Sequence, residues 1–218
     1  MSTVEAPVRL GIEMQGGYDH NDGECVAFVD PLYLQLSSGK YAVMATMPLP
    51  RDREAWEADH RTARKRAWKA EAHGYSAGRF DRSVWHKDIF EINTSRDYRQ
   101  GRPMTKGYQE YPPTTPLPDY PCDLHAIRAY GVFSPDYVLV AYAFIHRCGD
   151  LALVSQVLGH ADHEDHGIMH LLHRHFLEAE GKVAPGVAVY NRFDSGTPGL
   201  RQFKSWIGYE ETPVQWLP

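Results

Sequence analysis

Residues 124–160 read LHAIRAYGVFSPDYVLVAYAFIHRCGDLALVSQVLGH, and this stretch decides the fold. It contains three apolar runs rich in β-branched and aromatic residues, and the pairs Ser134-Pro135 and Gly149-Asp150 separate them. Short apolar runs between turn residues are typical of neighbouring antiparallel strands. The sequence therefore predicts a three-stranded meander.

Four further elements follow the meander. Residues 167–180, GIMHLLHRHFLEAE, have helical spacing of apolar side chains, and Gly181 marks the expected end. Residues 187–190, VAVY, predict a short strand, and residues 197–207, TPGLRQFKSWI, predict a helix with proline in its first turn. Residues 209–217, YEETPVQWL, predict a closing strand. The predicted order is strand, strand, strand, helix, strand, helix, strand.

The first half of the chain has a less regular pattern. Residues 26–47 contain two apolar runs around SSGK, which predicts a hairpin. Residues 51–73 are rich in Ala, Arg, Lys and Glu, with Trp56 and Trp68 as an apolar trace, and they predict one helix that stops at Gly74.

Residues 88–113 have no clean period. Ile89 and Ile92 could begin a strand, and Ser95 could cap a short helix that Gly101 and Pro103 interrupt. The proline-rich residues 112–121 predict a surface loop. We expect one domain over residues 1–218, with 1–123 as an elaborated N-terminal half and 124–218 as the core.

Composition indicates a globular protein of a reducing compartment. The chain has 218 residues, 43% hydrophobic and 23% charged, and no apolar run approaches the roughly 20 residues of a membrane span. Its three cysteines, Cys25, Cys122 and Cys148, form no CxxC pair. We expect a cytoplasmic protein without a membrane partner, and the sequence does not specify an oligomeric state.

The charge is unevenly distributed. The net charge is -5, yet residues 60–87 carry eight Arg or Lys against two acids, with aromatic residues between them. Basic residues interleaved with aromatics are a means of holding nucleic acid, although a solvated helix paired with nearby acids explains the pattern equally well. The candidate tRNA-binding residues are Arg64, Lys65, Arg66, Lys69, Arg79 and Arg82.

The element order from Leu124 to Leu217 resembles the GCN5-related acyltransferase (GNAT) fold. The resemblance implies a mixed α/β (α+β) fold, with a mostly antiparallel sheet, a splayed central strand and flanking helices. It also implies that the donor's phosphates rest at the N-terminus of the helix after the third strand, here within residues 162–172. Glu164 stands where that family has Arg or Gln, and Met169 stands at its second glycine, so the phosphate motif is largely missing.

Residues 196–209, GTPGLRQFKSWIGY, resemble the Fem peptidyltransferases and their single-domain, tRNA-dependent relatives of the pacidamycin alanyl transferase type. These GNAT-fold enzymes transfer an amino acid from aminoacyl-tRNA to an amine. The resemblance implies aminoacyl-tRNA and a small peptide or peptidyl amine as partners, and no resident cofactor. Acetyl-CoA is the alternative donor.

The catalytic candidates are Tyr190, Asp194 and Ser155. Tyr190 could protonate the leaving group or be a core tyrosine with its hydroxyl at the rim, and Asp194 could accept the amine proton or cap the following helix. Backbone N–H groups from Ser155 to Leu158 could stabilise an oxyanion.

The remaining candidates bind substrate. Arg201 and Lys204 share a helix face, and the run RDYRQGR has a composition suited to binding. The histidine-rich loop could contribute imidazoles in place of the missing phosphate motif. The full set is Ser95, Arg99, Gln100, Arg102, Tyr108, His160, His163, His166, Arg201, Lys204 and Trp206.

A metal site is the competing hypothesis for the histidines. His166 and His170 have the i, i+4 spacing of a zinc pair. The chain has no HExxH motif and no cysteine partner for them, so we expect no metal.

The sequence therefore predicts an acyltransferase that forms an amide bond from aminoacyl-tRNA and a primary amine, as in antibiotic or cell-wall precursor synthesis. Two alternatives stay open. One is an acetyl-CoA-dependent N-acetyltransferase with a degenerate phosphate loop, and the other is a non-catalytic GNAT-like module that binds nucleic acid.

Overall fold

The computed structural model describes residues 8–10, 41–118, 123–194 and 196–216, which form one mixed sheet with helices on both faces. The strands are β1 (Val8–Leu10), β2 (Tyr41–Pro48), β3 (Ser76–Arg79), β4 (Tyr98–Arg99), β5 (Arg102–Pro103), β6 (His125–Phe133), β7 (Leu139–Cys148), β8 (Leu151–Gly159), β9 (Val187–Arg192) and β10 (Glu210–Trp216). The helices are α1 (Arg53–Asp59), α2 (Arg61–Ala72), α3 (His86–Thr94), α4 (Ile168–Val183) and α5 (Pro198–Ile207), with 3₁₀ helices at Lys106–Tyr108 and Ala161–His166.

Eight strands form the main sheet in the order β1-β10-β2-β9-β8-β7-β6-β3, and β4 pairs with β5 in a separate ribbon. The pairs β1/β10 and β8/β9 are parallel, and the other pairs are antiparallel. The predicted fold class and the predicted meander, β6 to β8, are both confirmed. The elements after the meander also follow in the predicted order.

The second arm of the predicted N-terminal hairpin is β2, whereas residues 26–40 of the first arm lie outside the described part of the chain. The strand β2 lies inside the sheet, between β10 and β9. The sheet therefore takes strands from both halves of the chain.

The single helix predicted for residues 51–73 is wrong. Two helices, α1 and α2, meet at His60, which ends α1 and begins α2 with φ −113° and ψ 57°. The buried face of α2 consists of Ala63, Ala67 and Ala70, whereas Trp68 is 49% exposed. None of the described helices combines the length and apolarity that a bilayer crossing requires.

The prediction for residues 88–103 is also wrong. Ile89 and Ile92 lie on α3, not on a strand, because both side chains pack against the sheet residues Tyr142 and Phe144. Ser95 ends α3 instead of beginning a helix, and its hydroxyl donates to the carbonyl of Ile92 at 2.7 Å.

The helices divide the core between the two faces of the sheet. Residues of α1, α2 and α4 pack on one face, and α3 packs on the other. On the first face Glu180 is fully buried, and its carboxylate accepts hydrogen bonds from Arg128 at 3.0 Å and from the Tyr130 hydroxyl at 2.7 Å. A second buried guanidinium, that of Arg147, lies 3.8 Å from the same carboxylate. The charge of Glu180 therefore compensates two buried arginines.

We predict that Glu180→Ala lowers the free energy of unfolding by about 3–5 kcal/mol, because it removes the buried carboxylate that pairs with Arg128 and lies beside Arg147. Glu178→Ala on the same helix is the matched control. Its carboxylate pairs with the exposed Lys182, so we expect a loss below about 1 kcal/mol. Urea denaturation measures both values, and equal losses would show that Glu180 contributes no more than a surface pair.

Candidate active site

The strands β8 and β9 diverge after three paired residues. Pairing runs from Leu151 opposite Val187 to Leu153 opposite Val189. Beyond it, β8 continues to Gly159 and β9 to Arg192 without further mutual pairs. The predicted splay is therefore present, and it opens a gap in the sheet.

A β-bulge at Ser155 lies on β8 where the gap begins. Phe144 of β7 pairs with Gln156 and Ile145 pairs with Val154, so Ser155 is the extra residue. The Ser155 hydroxyl donates to the carbonyl of Phe144 at 3.1 Å. Because this hydroxyl is already hydrogen-bonded, Ser155 contributes its backbone to the gap.

The gap is a cleft of about 580 Å³. Its walls come from β8, the end of β9, the first turns of α4, the helix α5 and the segment around the β4/β5 ribbon. The lining residues are Arg96, Tyr98, Arg99, Gln100, Met104, Tyr108, Ser155, Gln156, Val157, Leu158, Gly159, Glu164, Met169, His170, Tyr190, Asn191, Thr197, Gly199, Leu200, Phe203 and Lys204.

Lys204 and Tyr190 contact each other on one wall. The Lys204 side chain is fully buried, and its Nζ donates to the carbonyl of Arg192 at 2.6 Å and lies 4.8 Å from the centre of the Tyr190 ring. Burial lowers the pKa of Lys204 to about 8, against the opposing effect of Asp194. Burial and then the neighbouring Tyr108 raise the pKa of Tyr190 to about 12, so this phenol holds its proton at neutral pH.

The ribbon segment forms the facing wall through Arg99. Its guanidinium donates to Glu164 at 2.9 Å, to the hydroxyl of Ser95 at 2.9 Å and to the carbonyl of Gly159 at 2.8 Å. Arg96 also pairs with Glu164, at 3.2 Å. These contacts tie the ribbon to the end of β8 and to the 3₁₀ helix.

The tip of the ribbon contacts α5. Gln100 and Gly101 both have positive φ, 54° and 73°, which is the geometry of a two-residue hairpin turn. The Thr197 hydroxyl, at the N-cap of α5, donates to Gln100 Oε1 at 3.1 Å. The Gln100 amide therefore connects the ribbon to α5 at the mouth of the cleft.

His170 contributes a neutral ring to the cleft. Its side chain is 5% exposed, and its Nε2 has no hydrogen-bond partner among the described residues. Burial, with smaller contributions from His173 and Arg66, lowers the pKa of His170 to about 3. This imidazole is therefore uncharged at physiological pH.

Six of the predicted site residues line the cleft together: Tyr190, Ser155, Arg99, Gln100, Tyr108 and Lys204. Two others lie just outside it. Ser95 holds Arg99 and accepts from the backbone N–H of Ala161 at 3.1 Å. Asp194 is exposed and paired with Arg192, whose guanidinium lowers the pKa of that carboxyl.

The other predicted substrate-binding residues do not line the cleft. The Nδ1 atoms of His163 and His166 lie 2.7 and 2.9 Å from the Tyr75 hydroxyl, and His160 Nδ1 accepts from the backbone of Asp162. Trp206 lies under the guanidinium of Arg66, and both Arg102 and Arg201 are exposed. Within the described ranges, no three His, Cys, Asp or Glu side chains gather as a metal site would need.

The predicted tRNA-binding residues lie in two places. Arg64, Lys65, Arg66 and Lys69 belong to α2, where the Lys69 ammonium donates to the carbonyl of Asp165 at 2.7 Å. Arg79 is exposed at the end of β3, and Arg82 donates to the carbonyl of Thr115 at 2.8 Å. The α2 residues adjoin the cleft walls through Asp165 and Trp206, whereas Arg82 contacts a loop.

The residue before α4, Gly167, packs closely against α2. A Cβ at Gly167 would collide with the carbonyl oxygen of Arg66. The preceding 3₁₀ helix carries Asp162, Glu164 and Asp165, whereas Met169 and His170 of the first turn of α4 line the cleft. Acidic side chains therefore lie beside the place where the GNAT resemblance implies a donor phosphate.

Several lining residues escaped prediction from the sequence. Phe203 and Leu200 lie beside Lys204 on α5, and the i, i+3, i+4 spacing from Leu200 could have revealed that face. Arg96 and Tyr98 flank the predicted Arg99, so the same polar run contained the signal for them. No signal in the sequence indicates the buried position of His170.

Neither a protein-family model nor a curated protein sequence matches the chain. Three solved structures are similar in fold. One is the C-terminal domain of a protein named as a putative lysylphosphatidylglycerol synthetase from Agrobacterium fabrum, which is 12% identical to this chain with a TM-score of 0.52. The alignment covers 84% of this chain and 63% of that one.

The other two structures give a similar picture. L-PGS from Bacillus licheniformis is 14% identical with a TM-score of 0.50, covering 84% of this chain and 62% of its own. A GCN5-related N-acetyltransferase from Kribbella flavida is 14% identical with a TM-score of 0.47, covering 84% and 60%. The chain thus spans about three fifths of the length of these structures. At these identities the likeness to the first two structures, with TM-scores of 0.52 and 0.50, shows a shared fold alone.

The depressed pKa of Lys204 predicts a pH dependence of stability. Below about pH 8 the ammonium is protonated in both the folded and the unfolded chain. Between pH 8 and 10.5 the folded chain releases its proton first, so stability of the wild type should rise relative to Lys204→Met. The expected slope is at most about 1.4 kcal/mol per pH unit. Denaturant titrations across this range measure the difference, and a pH-independent difference would contradict the assignment.

Proposed function

We propose that the chain is an acyltransferase that forms an amide bond, moving an aminoacyl group from aminoacyl-tRNA to a primary amine of a small peptide or peptidyl metabolite. The observation that carries the proposal is the cleft between β8 and β9, in which the bulge at Ser155 lies on one wall and Tyr190 and Lys204 on another. Such a site can hold an activated ester against an amine.

The reaction needs few chemical groups. The amine nitrogen attacks the ester carbonyl, the carbon–oxygen bond to the ribose breaks, and the amine loses one proton while the leaving hydroxyl gains one. Unpaired N–H groups of β8 beyond the bulge supply the oxyanion donors. Because the ester is already activated, positioning can provide most of the acceleration.

Tyr190 is the proposed proton donor to the leaving hydroxyl. Its raised pKa keeps the phenol protonated at neutral pH, and Lys204 adjoins its ring. The lowered pKa of Lys204 favours a partly neutral amine near pH 8, which can accept a proton from the attacking nitrogen.

Three observations favour an aminoacyl-tRNA donor over coenzyme A. The N-terminus of α4 is preceded by the acidic residues Asp162, Glu164 and Asp165, which disfavour a diphosphate there. The exposed cations of α2 adjoin the cleft walls through Trp206 and Asp165. One similar structure, 12% identical to this chain, has a name that contains a lysyl group, and lysyl is an aminoacyl group.

A donor test distinguishes the open alternatives. We expect labelled amide product when the protein is mixed with bulk tRNA charged with labelled amino acids and a panel of dipeptides. Treating the charged tRNA with ribonuclease first should lower the yield, and acetyl-CoA should give no acetylated dipeptide. Acetylation without aminoacylation would establish the coenzyme A-dependent alternative. No product from either donor would leave a non-catalytic module.

The α2 cations provide the control for tRNA. Reversing Lys65 to Glu on the exposed side of α2 should raise the KM for charged tRNA, because each phosphate contact contributes favourable, salt-dependent binding energy. The matched variant Lys87→Glu changes the same charge at an exposed position of α3 and should leave KM unchanged.

Tyr190→Phe tests the proton donor. We expect kcat to fall by about 10²–10⁴-fold with little change in the KM for the donor, because general acid catalysis contributes on that scale. Steady-state rates with charged tRNA measure it. Tyr137→Phe is the control, since that tyrosine is 69% exposed and stacks on Phe133 away from the cleft. A Tyr190→Phe enzyme with wild-type kcat would assign the phenol to packing.

A further inference from the structure

A second cavity of about 310 Å³ lies beside the cleft. It is bounded by α3, the middle of β7, one residue of β8 and the loop that contains the 3₁₀ helix Lys106–Tyr108. Its lining residues are Arg82, Ile89, Asn93, Thr105, Gly107, Tyr108, Pro112, Pro113, Tyr142, Phe144 and Gln156.

The cavity has one charged lining residue, Arg82. Its Nε and Nη2 atoms donate to the carbonyl of Thr115 at 3.2 and 2.8 Å, so the loop holds the guanidinium in place. Its Nη1 makes no hydrogen bond within the described part of the chain. No acidic side chain is among the lining residues, so the cavity carries a net positive charge.

Asn93 contributes a buried amide. The residue is 5% exposed, and its Oδ1 accepts from the Tyr142 hydroxyl at 2.7 Å. Burial raises the pKa of Tyr142 well above its ordinary value, so that hydroxyl remains a donor and fixes the orientation of the amide. The Nδ2 group of Asn93 is then left as a donor without a hydrogen-bond partner among the described residues. This Nδ2 group lines the cavity, where it is available to an acceptor on a ligand.

The cavity communicates with the cleft. Tyr108 and Gln156 line both spaces, and Gln156 directly follows the bulge residue Ser155. A ligand anchored in the cavity can therefore present a group to the reacting centre.

We propose that this cavity binds the acceptor, and that the acceptor is an amino acid or short peptide with a free carboxylate. The carboxylate pairs with Arg82 and accepts from Asn93, the apolar side chain packs on Ile89 and Phe144, and the amine reaches the cleft at Gln156. A carboxylate is the matching ligand because it accepts from both donors and neutralises the guanidinium. Only the acylation of the amine rests on the proposed function; the binding of the carboxylate does not depend on it.

Binding is tested without any donor, by two-dimensional NMR of the ¹⁵N-labelled full chain. The probes are L-phenylalanine, L-phenylalaninamide and 2-phenylethylamine, which share the ring and the amine and differ in the carboxylate. We expect saturable shifts of the Asn93 and Gln156 side-chain amides with L-phenylalanine, and at least about tenfold weaker binding of the other two probes.

Arg82→Gln should remove the preference for the carboxylate probe, whereas Lys87→Gln, an equal loss of charge at an exposed position of α3, should keep it. Gly107→Phe adds bulk at the cavity without a clash, since a Cβ there meets nothing within 4 Å, and it should weaken all three probes. If Arg82→Gln also weakens all three probes equally, the carboxylate assignment is wrong. Equal affinities of the three probes for the wild type, or no shift at Asn93, would overturn it as well.

The outcome is separable from the donor test. If the chain binds the carboxylate probe selectively but forms no amide product, the cavity is a carboxylate site and the proposed function is wrong. Amide product from dipeptides and from their carboxyl-amidated forms at equal rates supports the function and removes the cavity assignment.

Discussion

The short pairing between β8 and β9 is the constraint from which the site follows. Three paired residues anchor the two strands at one end, and the bulge at Ser155 turns β8 away just beyond them. A sheet that opens in its interior exposes backbone donors and acceptors that would otherwise be paired, and such groups are costly to bury without partners. The opening must therefore be either filled by protein or used by a ligand.

Hydrogen bonds between the walls hold the opening apart, and side chains do not fill it. Arg99 ties the ribbon to the carbonyl of Gly159 at the end of β8, and the N-cap residue Thr197 ties α5 to Gln100 at the ribbon tip. Both contacts lie at the rim, so they fix the width of the cleft and leave its centre to β8, Tyr190 and Lys204. Glu164 compensates Arg96 and Arg99, whereas Lys204 hydrogen-bonds a backbone carbonyl. Lys204, which has no carboxylate partner among these contacts, is also the residue whose pKa is lowered by burial.

Much of this fold could be predicted from the sequence, because the meander and the elements after it bury regular apolar runs. The region from residue 86 to 103 could not. Its helix is specified by the contact of Ile89 and Ile92 with the sheet, and isoleucine by itself favours strands. The hairpin turn at Gln100 needs a positive φ from a non-glycine residue, which composition does not indicate.

The site itself was predictable in part. Tyr190, Arg99 and Lys204 were identified because they lie at the ends of elements or in polar runs. The sequence predicted a helix face shared by Arg201 and Lys204, whereas Arg201 is exposed and Lys204 is fully buried. Lysine is rarely buried, and only the packing of α5 against β9 reveals this position. Two of the predicted histidines, His163 and His166, share a contact with the Tyr75 hydroxyl, and the sequence spacing does not indicate this contact.

The start of α4 connects the basic helix to the cleft. The backbone of Arg66 packs against Gly167, where any side chain would collide, and the same residue's guanidinium lies over Trp206 of α5. One residue therefore joins the cationic face of α2 both to the start of α4 and to α5, which forms a wall of the cleft. Under the proposed function, a donor whose phosphates lie outside the cleft would use this face, and a polynucleotide with an ester at its end is a donor of that kind. The acidic 3₁₀ helix disfavours phosphate beside α4, and its Glu164 holds the arginines of the ribbon in place.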